Sequence, residues 1–508
     1  MSGARPAGLA SRSAALAAVS VAGTLSGFAR EAVVAAALGT SATYDAFLVA
    51  SLPFELLSVL AASVGAPLLR DYLRRCAEDG PEAADAWWRA VTLAWAAAFL
   101  VAGIAAVGSV PLWSEAPADR ALLGRLLVAM APAPALGAVV YLQAARLNAR
   151  GAFVLPALGG ILLNVGVATG AALGAVGASA LGLAAGTLAA LAGTVLLQAR
   201  AYRGGGSGAA SPGVALAFAR LAWPLAALAL VVRVHLLLER GFGARLGEGT
   251  VAELAYANRF ATAPIGIMAS VATPLFAMLS AHAVQRDEAA LGTLASRASR
   301  LTVLLTAPLL AFLVAFAEPL VRLALARGRF PDSAVAPTAM ALRAFACASA
   351  GWIVADLAQR VLWAQERLRP ALAAGVGFLV VNLLAALLLV PAGGGGGLAW
   401  ARAVAFAAYA GLSLAAARSA SPSFGVGGVL RAVGVAAAVS GAMAMLARSA
   451  HDALVPAAAR GVAGWAALGV AGAVMTAAYG GVLAGVLRHP DAREAFGLLR
   501  RRVSRHAG

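Results

Sequence analysis

The chain has 508 residues, of which 62% are hydrophobic and only 12% are charged, and its mean hydropathy is +0.85. An ordinary soluble domain is about 45–50% apolar and about 25% charged, so this composition excludes that class. The net charge of +17 comes from arginine, because the sequence contains no lysine. No basic module interleaved with aromatic residues accompanies this charge, which argues against nucleic acid as a partner.

Apolar segments long enough to cross a hydrocarbon core of about 30 Å follow one another along the chain. They predict an all-α, polytopic membrane protein with about 14 transmembrane helices. The first apolar segment continues as a full span, so we expect no cleavable signal peptide. The predicted spans are 13–38, 45–69, 89–112, 121–145, 152–174, 177–199, 214–238, 251–280, 301–325, 335–362, 371–391, 397–417, 429–447 and 461–487.

Arginines are concentrated in alternate loops between these spans and in the segment after the last one. Loops rich in positive charge stay on the cytoplasmic side of a membrane, so the pattern predicts that both termini are cytoplasmic. Four arginines of the opposite loops go against this bias: Arg240, Arg245, Arg327 and Arg329.

The two halves of the chain resemble each other. ASVGAPLL at 62–69 resembles ASVATPLF at 269–276, and AFLVA at 98–102 recurs at 311–315. Four such matches in order, with offsets from 207 to 218, indicate a six-span repeat and two lobes related by a parallel arrangement. The predicted organisation is an N-lobe at 1–203, a flexible linker at 204–213, a C-lobe at 214–420, two additional spans at 421–487 and a basic cytoplasmic tail at 488–508.

Charged residues inside the spans are the strongest functional signal. A charge at the bilayer centre costs at least about 2.5–3.5 kcal/mol on insertion scales, so such residues often mark a transport pathway. In the first span Thr24 and Glu31 lie on one helix face with Arg30 beside it, and Arg259 lies well inside the eighth span.

Charges near span ends have a structural alternative, namely ion pairs between helices. Asp45, Glu239 and Arg240 are in this position. Asp356 and Arg360 are one helical turn apart on the tenth span, so we expect them to satisfy each other.

Catalytic and metal signatures do not appear in the sequence. The glycine-rich stretches GGGSG and GGGGG are not followed by Lys-Ser or Lys-Thr, so they do not read as phosphate-binding loops. The two cysteines and five histidines form no metal-ligand pattern. We therefore expect a protein that is not an enzyme and that holds no cofactor or metal.

The stretch GFAREAVVAAALGTSATYDAF at 27–47 resembles the first-helix signature of the MurJ/MviN lipid II flippases, in the multidrug/oligosaccharidyl-lipid/polysaccharide exporter superfamily. AYANRF at 255–260 resembles the eighth-helix motif of that family, and ARGRF at 326–330 resembles its outer turn after the ninth helix. LNARGAFVLPALGGILLN at 147–164 resembles its connection between the fourth and fifth helices. The six-plus-six core with two appended helices also fits.

This resemblance implies transport of an undecaprenyl-pyrophosphate-linked peptidoglycan precursor across a bacterial inner membrane, with the peptidoglycan-synthesis machinery as a further partner. The family's cavity arginines correspond here to Arg30 and Arg259, whereas Thr24 stands where the family carries another arginine. Glu55 lies in the stretch where the family has an arginine pair. The implied candidates for substrate binding are Arg30, Arg259, Glu31, Asp45 and Thr24. The candidates for cation coupling (Na⁺ or H⁺) or gating are Glu239, Asn382, Glu253 and Arg240.

Three other functions stay open: flipping of another polyprenyl-linked polysaccharide unit, cation-driven drug antiport, and a non-transporting role in envelope assembly. The antiport hypothesis requires aromatic residues for organic cations, and only 6% of this chain is aromatic. We further expect an outer gate in which Asp45 or Glu253 pairs with Arg240 or Arg245. The alternative is that Asp45 caps its own helix.

Overall fold

The computed structural model describes residues 6–63, 65–113, 117–150, 152–176, 181–200, 230–231, 233–454 and 461–486. Within these ranges every regular element is a helix, and eleven helical segments are long and apolar enough to cross a membrane. The prediction of an all-α, polytopic membrane protein is confirmed. The predicted linker at 204–213 and the tail at 488–508 lie outside the described residues.

Two compact units divide the chain, and the first comprises residues 1–252 together with 327–331. Its helices are α1 (Pro6–Leu38), α2 (Ala42–Ala50), α3 (Leu52–Ser63), α4 (Gly65–Glu78), α5 (Pro81–Val107), α6 (Pro117–Met130), α7 (Ala133–Ala149), α8 (Val154–Val176), α9 (Leu181–Arg200) and α10 (His235–Gly243).

The second unit comprises residues 253–326 and 332–508. Helix α11 (Thr250–Ala261) begins in the first unit and ends in the second. The remaining helices are α12 (Ala263–Val284), α13 (Glu288–Ala315), α14 (Ala317–Leu325), α15 (Val335–Ala364), α16 (Leu368–Ala420), α17 (Val426–Leu454) and α18 (Gly461–Gly481). The predicted lobe boundaries remain a prediction.

Several predicted spans are pairs of helices separated by a break. Pro53, Pro134 and Pro264 stand in the first turns of α3, α7 and α12. Proline lacks the N–H that would continue the preceding helix, so the chain ends one helix and starts another at each position. The second, fourth and eighth predicted spans are broken in this way. Helix α16 contains two predicted spans joined at Gly394, whose φ is 52°.

Helices α8 and α9 pack closely through glycine. A Cβ atom on Gly186 would lie 2.1 Å from the carbonyl oxygen of Gly166, and one on Gly170 would lie 2.3 Å from that of Gly182. Small residues let helix backbones approach within a membrane, where burial of apolar surface does not drive association. The fifth and sixth predicted spans therefore form a tight pair.

Candidate functional site

The first turn of α2 carries Asp45, whose carboxylate caps a helix distant in sequence. Its two oxygens accept hydrogen bonds from the backbone N–H groups of Gly249 (2.6 Å) and Ala252 (2.7 Å), at the start of α11. A carboxylate at a helix N-terminus satisfies otherwise unpaired N–H groups and faces the positive end of the helix dipole. We expected Asp45 either to cap its own helix or to pair with an arginine. In this conformation it does neither, so both predictions are wrong.

Arg240 on α10 pairs with Glu55 on α3. Its Nη2 lies 2.8 Å from both carboxylate oxygens of Glu55, while Nη1 donates to the carbonyl of Leu48 and to Oγ of Ser51. Ser51 Oγ in turn donates to Glu55 at 2.9 Å. The Arg240 side chain is only 10% exposed. The ion pair between Arg240 and Glu55 is therefore better shielded from solvent than a surface ion pair.

The partner of Arg240 corrects the gate hypothesis. The sequence predicts Asp45 or Glu253 as the partner acid, whereas the structure pairs Arg240 with Glu55, which stands where the family resemblance predicts arginines. Arg245, the other predicted gate cation, donates instead to the carbonyl of Leu112 at 3.3 Å. The negative charge of Glu55 is thus engaged by Arg240.

Two turns with signature glycines interlock at the same end of the first unit. The N–H of Arg329 donates to the carbonyl of Ala36 at 2.9 Å. A Cβ on Gly39 would lie 2.2 Å from the carbonyl oxygen of Arg329, and one on Gly328 would lie 2.3 Å from that of Ala36. Both glycines have φ of 61°, a region costly for other residues. We call residues 36–45, 249–252 and 327–331 the turn cluster.

The turn cluster contains two of the arginines that go against the positive-inside bias of the loops. Arg327 and Arg329 belong to the turn that docks beside Gly39, the turn between the first two predicted spans. The two turns therefore lie on the same side of the membrane. The backbone hydrogen bond from Arg329 to Ala36 and the close approach of the two glycines, instead of loop charge, explain why this turn keeps its position.

Arg30 lies on α1 beside Glu31, and the two form an ion pair. Both Nε (3.2 Å) and Nη2 of Arg30 donate to Oε1 of Glu31, whose side chain is 4% exposed. The Arg30 side chain is 25% exposed, and among the described residues no acceptor contacts its Nη1. Glu31 therefore fixes one edge of the guanidinium and leaves three N–H donors, two on Nη1 and one on Nη2, for another anion.

The other residues of the predicted polar face differ in their surroundings. Thr24 is exposed, whereas Gly27 and Glu31 are buried. Tyr44 on α2 directs its hydroxyl toward Oε2 of Glu31 at 3.5 Å, a long contact. The predicted stripe is thus a buried acid flanked by an accessible arginine and an exposed hydroxyl.

In the second unit, Arg259 is half-buried on α11 and follows Asn258. Oδ1 of Asn258 accepts a hydrogen bond from Arg402 Nη2 at 2.8 Å, and the Arg402 guanidinium lies 4.3 Å from the ring centre of Phe345. Arg402 thereby contacts α11 through Asn258, the neighbour of Arg259 in sequence, and α15 through Phe345. Asp356 and Arg360 pair at 2.8 Å, so that prediction is confirmed.

The candidate cation residues belong to different units. Glu239 is 8% exposed on α10 in the first unit, and Asn382 is 5% exposed on α16 in the second, where Glu253 is half-buried. Among the described residues no group of three His, Cys, Asp or Glu side chains could hold a metal ion.

A model of the family described as "Lipid II flippase MurJ" matches residues 34–459 of the chain. The chain belongs to the MurJ family. It is 28% identical over 405 residues to the Lipid II flippase MurJ of Burkholderia cenocepacia, covering 72% of this chain and 75% of that protein.

Solved structures agree on the fold. A MurJ structure in an inward closed conformation superposes with a TM-score of 0.74 at 17% identity, covering 93% of this chain and 99% of that one. An inward-facing MATE multidrug transporter of the MOP superfamily gives 0.63 at 15% identity, covering 85% and 96%. The MurJ resemblance of the sequence motifs is thus confirmed, although GFAR at 27–30 precedes the range that the family model matches.

A buried charge network in the first unit was not predicted from the sequence. Asp85 on α5 forms ion pairs with Arg146 and with Arg150 (3.0 Å), and it accepts a hydrogen bond from the Tyr72 hydroxyl at 2.7 Å. The Tyr72 phenol is a donor at neutral pH because its ordinary pKa is about 10, and burial raises that pKa further. The positive-inside bias accounts for Arg146 and Arg150 as loop charges and indicates no partner for them. These arginines lie 61 and 65 positions from Asp85, so no local spacing signals the network.

Proposed function

We propose that this protein flips lipid II, the undecaprenyl-pyrophosphate-linked peptidoglycan precursor, from the inner to the outer leaflet of a bacterial inner membrane by alternating access. Membership of the MurJ family supports the substrate class. In this proposal both termini are cytoplasmic, as the arginine-rich loops predict.

The observation that carries the proposal is the state of Arg30. A guanidinium inside a span, fixed along one edge by a buried acid and accessible on the other, is prepared to bind an anion. Arginine pairs phosphate oxygens through two parallel N–H groups and does not deprotonate, so it retains its charge in an apolar environment. Arg259, in the second unit, is the candidate for a second contact to the pyrophosphate.

Transport by this mechanism involves no covalent step, so the protein contributes binding and conformational change only. The turn cluster and the Arg240–Glu55 pair are the contacts that opening of the outer side would break. Coupling to Na⁺, H⁺ or the membrane potential stays a prediction, with Glu239 and Asn382 as candidate residues.

The test compares arginine variants in cells depleted of their own flippase, with protein abundance in the membrane measured in parallel. We expect Arg30→Ala to abolish complementation and to cause lipid II to accumulate in the inner leaflet. Arg30→Lys should restore little transport, since lysine lacks the planar fork. The matched control is Arg322→Ala, which removes an exposed arginine on α14 that pairs with exposed acids.

Normal growth of the Arg30→Ala strain would refute the arginine clamp. Should the wild-type chain itself fail to restore export of lipid II while another polyprenyl-linked glycan accumulates after its depletion, the related polysaccharide-flippase hypothesis would replace this one.

A further inference from the structure

A long groove in the second unit is separate from the candidate residues discussed above. It has a volume of about 690 Å³ and lies between α13, α15, the second half of α16 and α17. Small residues such as Ala346, Ala350 and Gly351 face it, so the helices around it do not fill the space. Met445 and Leu430 on its wall are 67% and 54% exposed, and the groove is therefore open to the surroundings.

The dimensions of the groove suit an extended hydrocarbon chain. Its lining runs from Leu430 to Met445 on α17 and from Val303 to Ala315 on α13. With a rise of 1.5 Å per residue, these stretches are about 18–22 Å long. Half of a hydrocarbon core of about 30 Å is about 15 Å, so one acyl chain of one leaflet can lie along the groove. An apolar groove left empty would forfeit the dispersion contacts of its lining.

Beyond one end of the groove lies an arginine that has no partner among the described residues. Arg343 precedes Cys347, a lining residue, by one turn of α15 and is half-buried inside a candidate membrane span. No residue in the described part of the chain forms an ion pair or hydrogen bond with its guanidinium. A cation at this depth is costly unless an anion or polar group reaches it.

Arg448, at the same end of the groove, differs from Arg343 because residues of the chain itself pair with its guanidinium. It follows the lining residue Ala444 by one turn of α17, pairs with Asp452 at 2.7 Å and donates to the carbonyl of Ala315 at 3.1 Å. Arg343 has no such acid. The charge at the end of the groove is thus complementary to an anionic group supplied from outside the chain.

We propose that the groove binds one acyl chain of an anionic phospholipid, with the lipid phosphate held by Arg343. The guanidinium matches a phosphodiester, and the groove below it accepts the chain. With both termini cytoplasmic, this end of the groove lies in the outer leaflet. The groove, at about 18–22 Å, is longer than one leaflet but shorter than the hydrocarbon core of about 30 Å, which favours the acyl chain of a bilayer lipid over a longer polyprenyl chain. The site concerns a resident lipid and does not depend on the proposed transport activity.

The experiment uses the purified full-length chain in nanodiscs that contain a photoreactive lipid. Two probes carry the same diazirine-labelled acyl chain, one on phosphatidylglycerol and one on phosphatidylcholine, and crosslinked peptides are mapped by mass spectrometry. We expect the phosphatidylglycerol probe to label groove residues of α15 and α17 about five-fold more than the phosphatidylcholine probe. A basic residue near the membrane surface contributes about 1 kcal/mol toward an anionic lipid, which gives this ratio.

Variants separate the headgroup contact from the chain site. Arg343→Gln should reduce the phosphatidylglycerol labelling to the phosphatidylcholine level, and Arg343→Lys should retain most of it. Ala350→Phe fills the groove and should remove labelling by both probes. The matched control is Leu446→Phe, an exposed position on α17 outside the lining, which should change neither. Thermal unfolding of each variant checks that the protein stays folded.

Equal labelling by the two probes, or labelling by phosphatidylglycerol that survives Arg343→Gln, would overturn the proposal. Undecaprenyl phosphate serves as a competitor. If a small molar fraction of it displaces the phosphatidylglycerol probe from the groove while unlabelled phosphatidylglycerol does not, the occupant is a polyprenyl chain and the proposal is wrong.

Discussion

Removal of the Asp45 carboxylate tests whether the α11 cap holds the outer side closed. Asp45→Ala deletes both hydrogen bonds to Gly249 and Ala252. Loss of a helix cap costs about 0.5–2 kcal/mol, and loss of the charge near the helix N-terminus costs about 0.3–1 kcal/mol. The two terms together come to about 1–3 kcal/mol, which changes an equilibrium by roughly 5–150-fold. Asp45→Asn keeps one of the two acceptor oxygens but loses the charge and the other acceptor, so we expect a change of at least roughly 2–5-fold that stays below the change for Asp45→Ala.

The assay measures the distance between spin labels at Ala42→Cys and Arg245→Cys, in a chain whose two native cysteines are replaced by serine. Opening separates the labels, so the population at long distance should increase in the order wild type, Asp45→Asn, Asp45→Ala. Asp332→Ala, which removes an exposed acid outside the first unit, is the control and should resemble wild type.

Charge reversal distinguishes the cap from the arginine gate expected at first. Arg240 is occupied by Glu55, so Arg240→Asp should not restore closure to Asp45→Arg. Full rescue by Arg240→Asp would refute this reasoning, and so would identical distance distributions for wild type, Asp45→Asn and Asp45→Ala.

Three further predictions follow from packing, charge and topology. Gly186→Ala should lower the thermal stability of the purified protein, because its Cβ would lie 2.1 Å from a carbonyl oxygen of α8; the control Gly193→Ala, on the same helix with nothing within 4 Å, should leave it unchanged or raise it. Asp85→Ala leaves Arg146 buried without its acid and should cost about 3–5 kcal/mol of unfolding free energy, whereas Asp79→Ala, in an exposed pair, should cost less than about 1 kcal/mol. Single cysteines at positions 42 and 80 should react with impermeant thiol reagents from outside and inside the cell respectively, and the reverse pattern would contradict the predicted topology.

The sequence was sufficient to predict the membrane fold because hydropathy and helix length are properties of each segment taken alone. It also predicted the i, i+4 pair of Asp356 and Arg360, whose geometry is set by a single helix. The breaks inside the second, fourth and eighth spans were missed, although Pro53, Pro134 and Pro264 were visible signals for them.

The partners of Asp45 and Arg240 could not be predicted because they depend on tertiary contacts. Gly249 and Ala252 lie more than 200 positions from Asp45 in the chain. Both donate to Asp45 through their backbone N–H groups. A backbone N–H carries no residue-specific signal. Glu55 was recognised as unusual for its position, yet only the packing of α10 beside α3 reveals what it binds.

The interlocked glycine turns have a consequence for biogenesis. Gly39 is synthesised among the first spans, but the backbone it packs against, at Gly328 and Arg329, follows only after α14. At about 5–20 residues per second, the first turn waits on the order of 15–60 s for its partner. During that interval the end of α1 and the start of α2 are in the membrane without the backbone contact that the turn at Gly328 and Arg329 later provides. We therefore expect a ribosome-bound chain that ends before residue 327 to expose this turn to proteases, and one long enough for residues 327–331 to have left the ribosome to protect it.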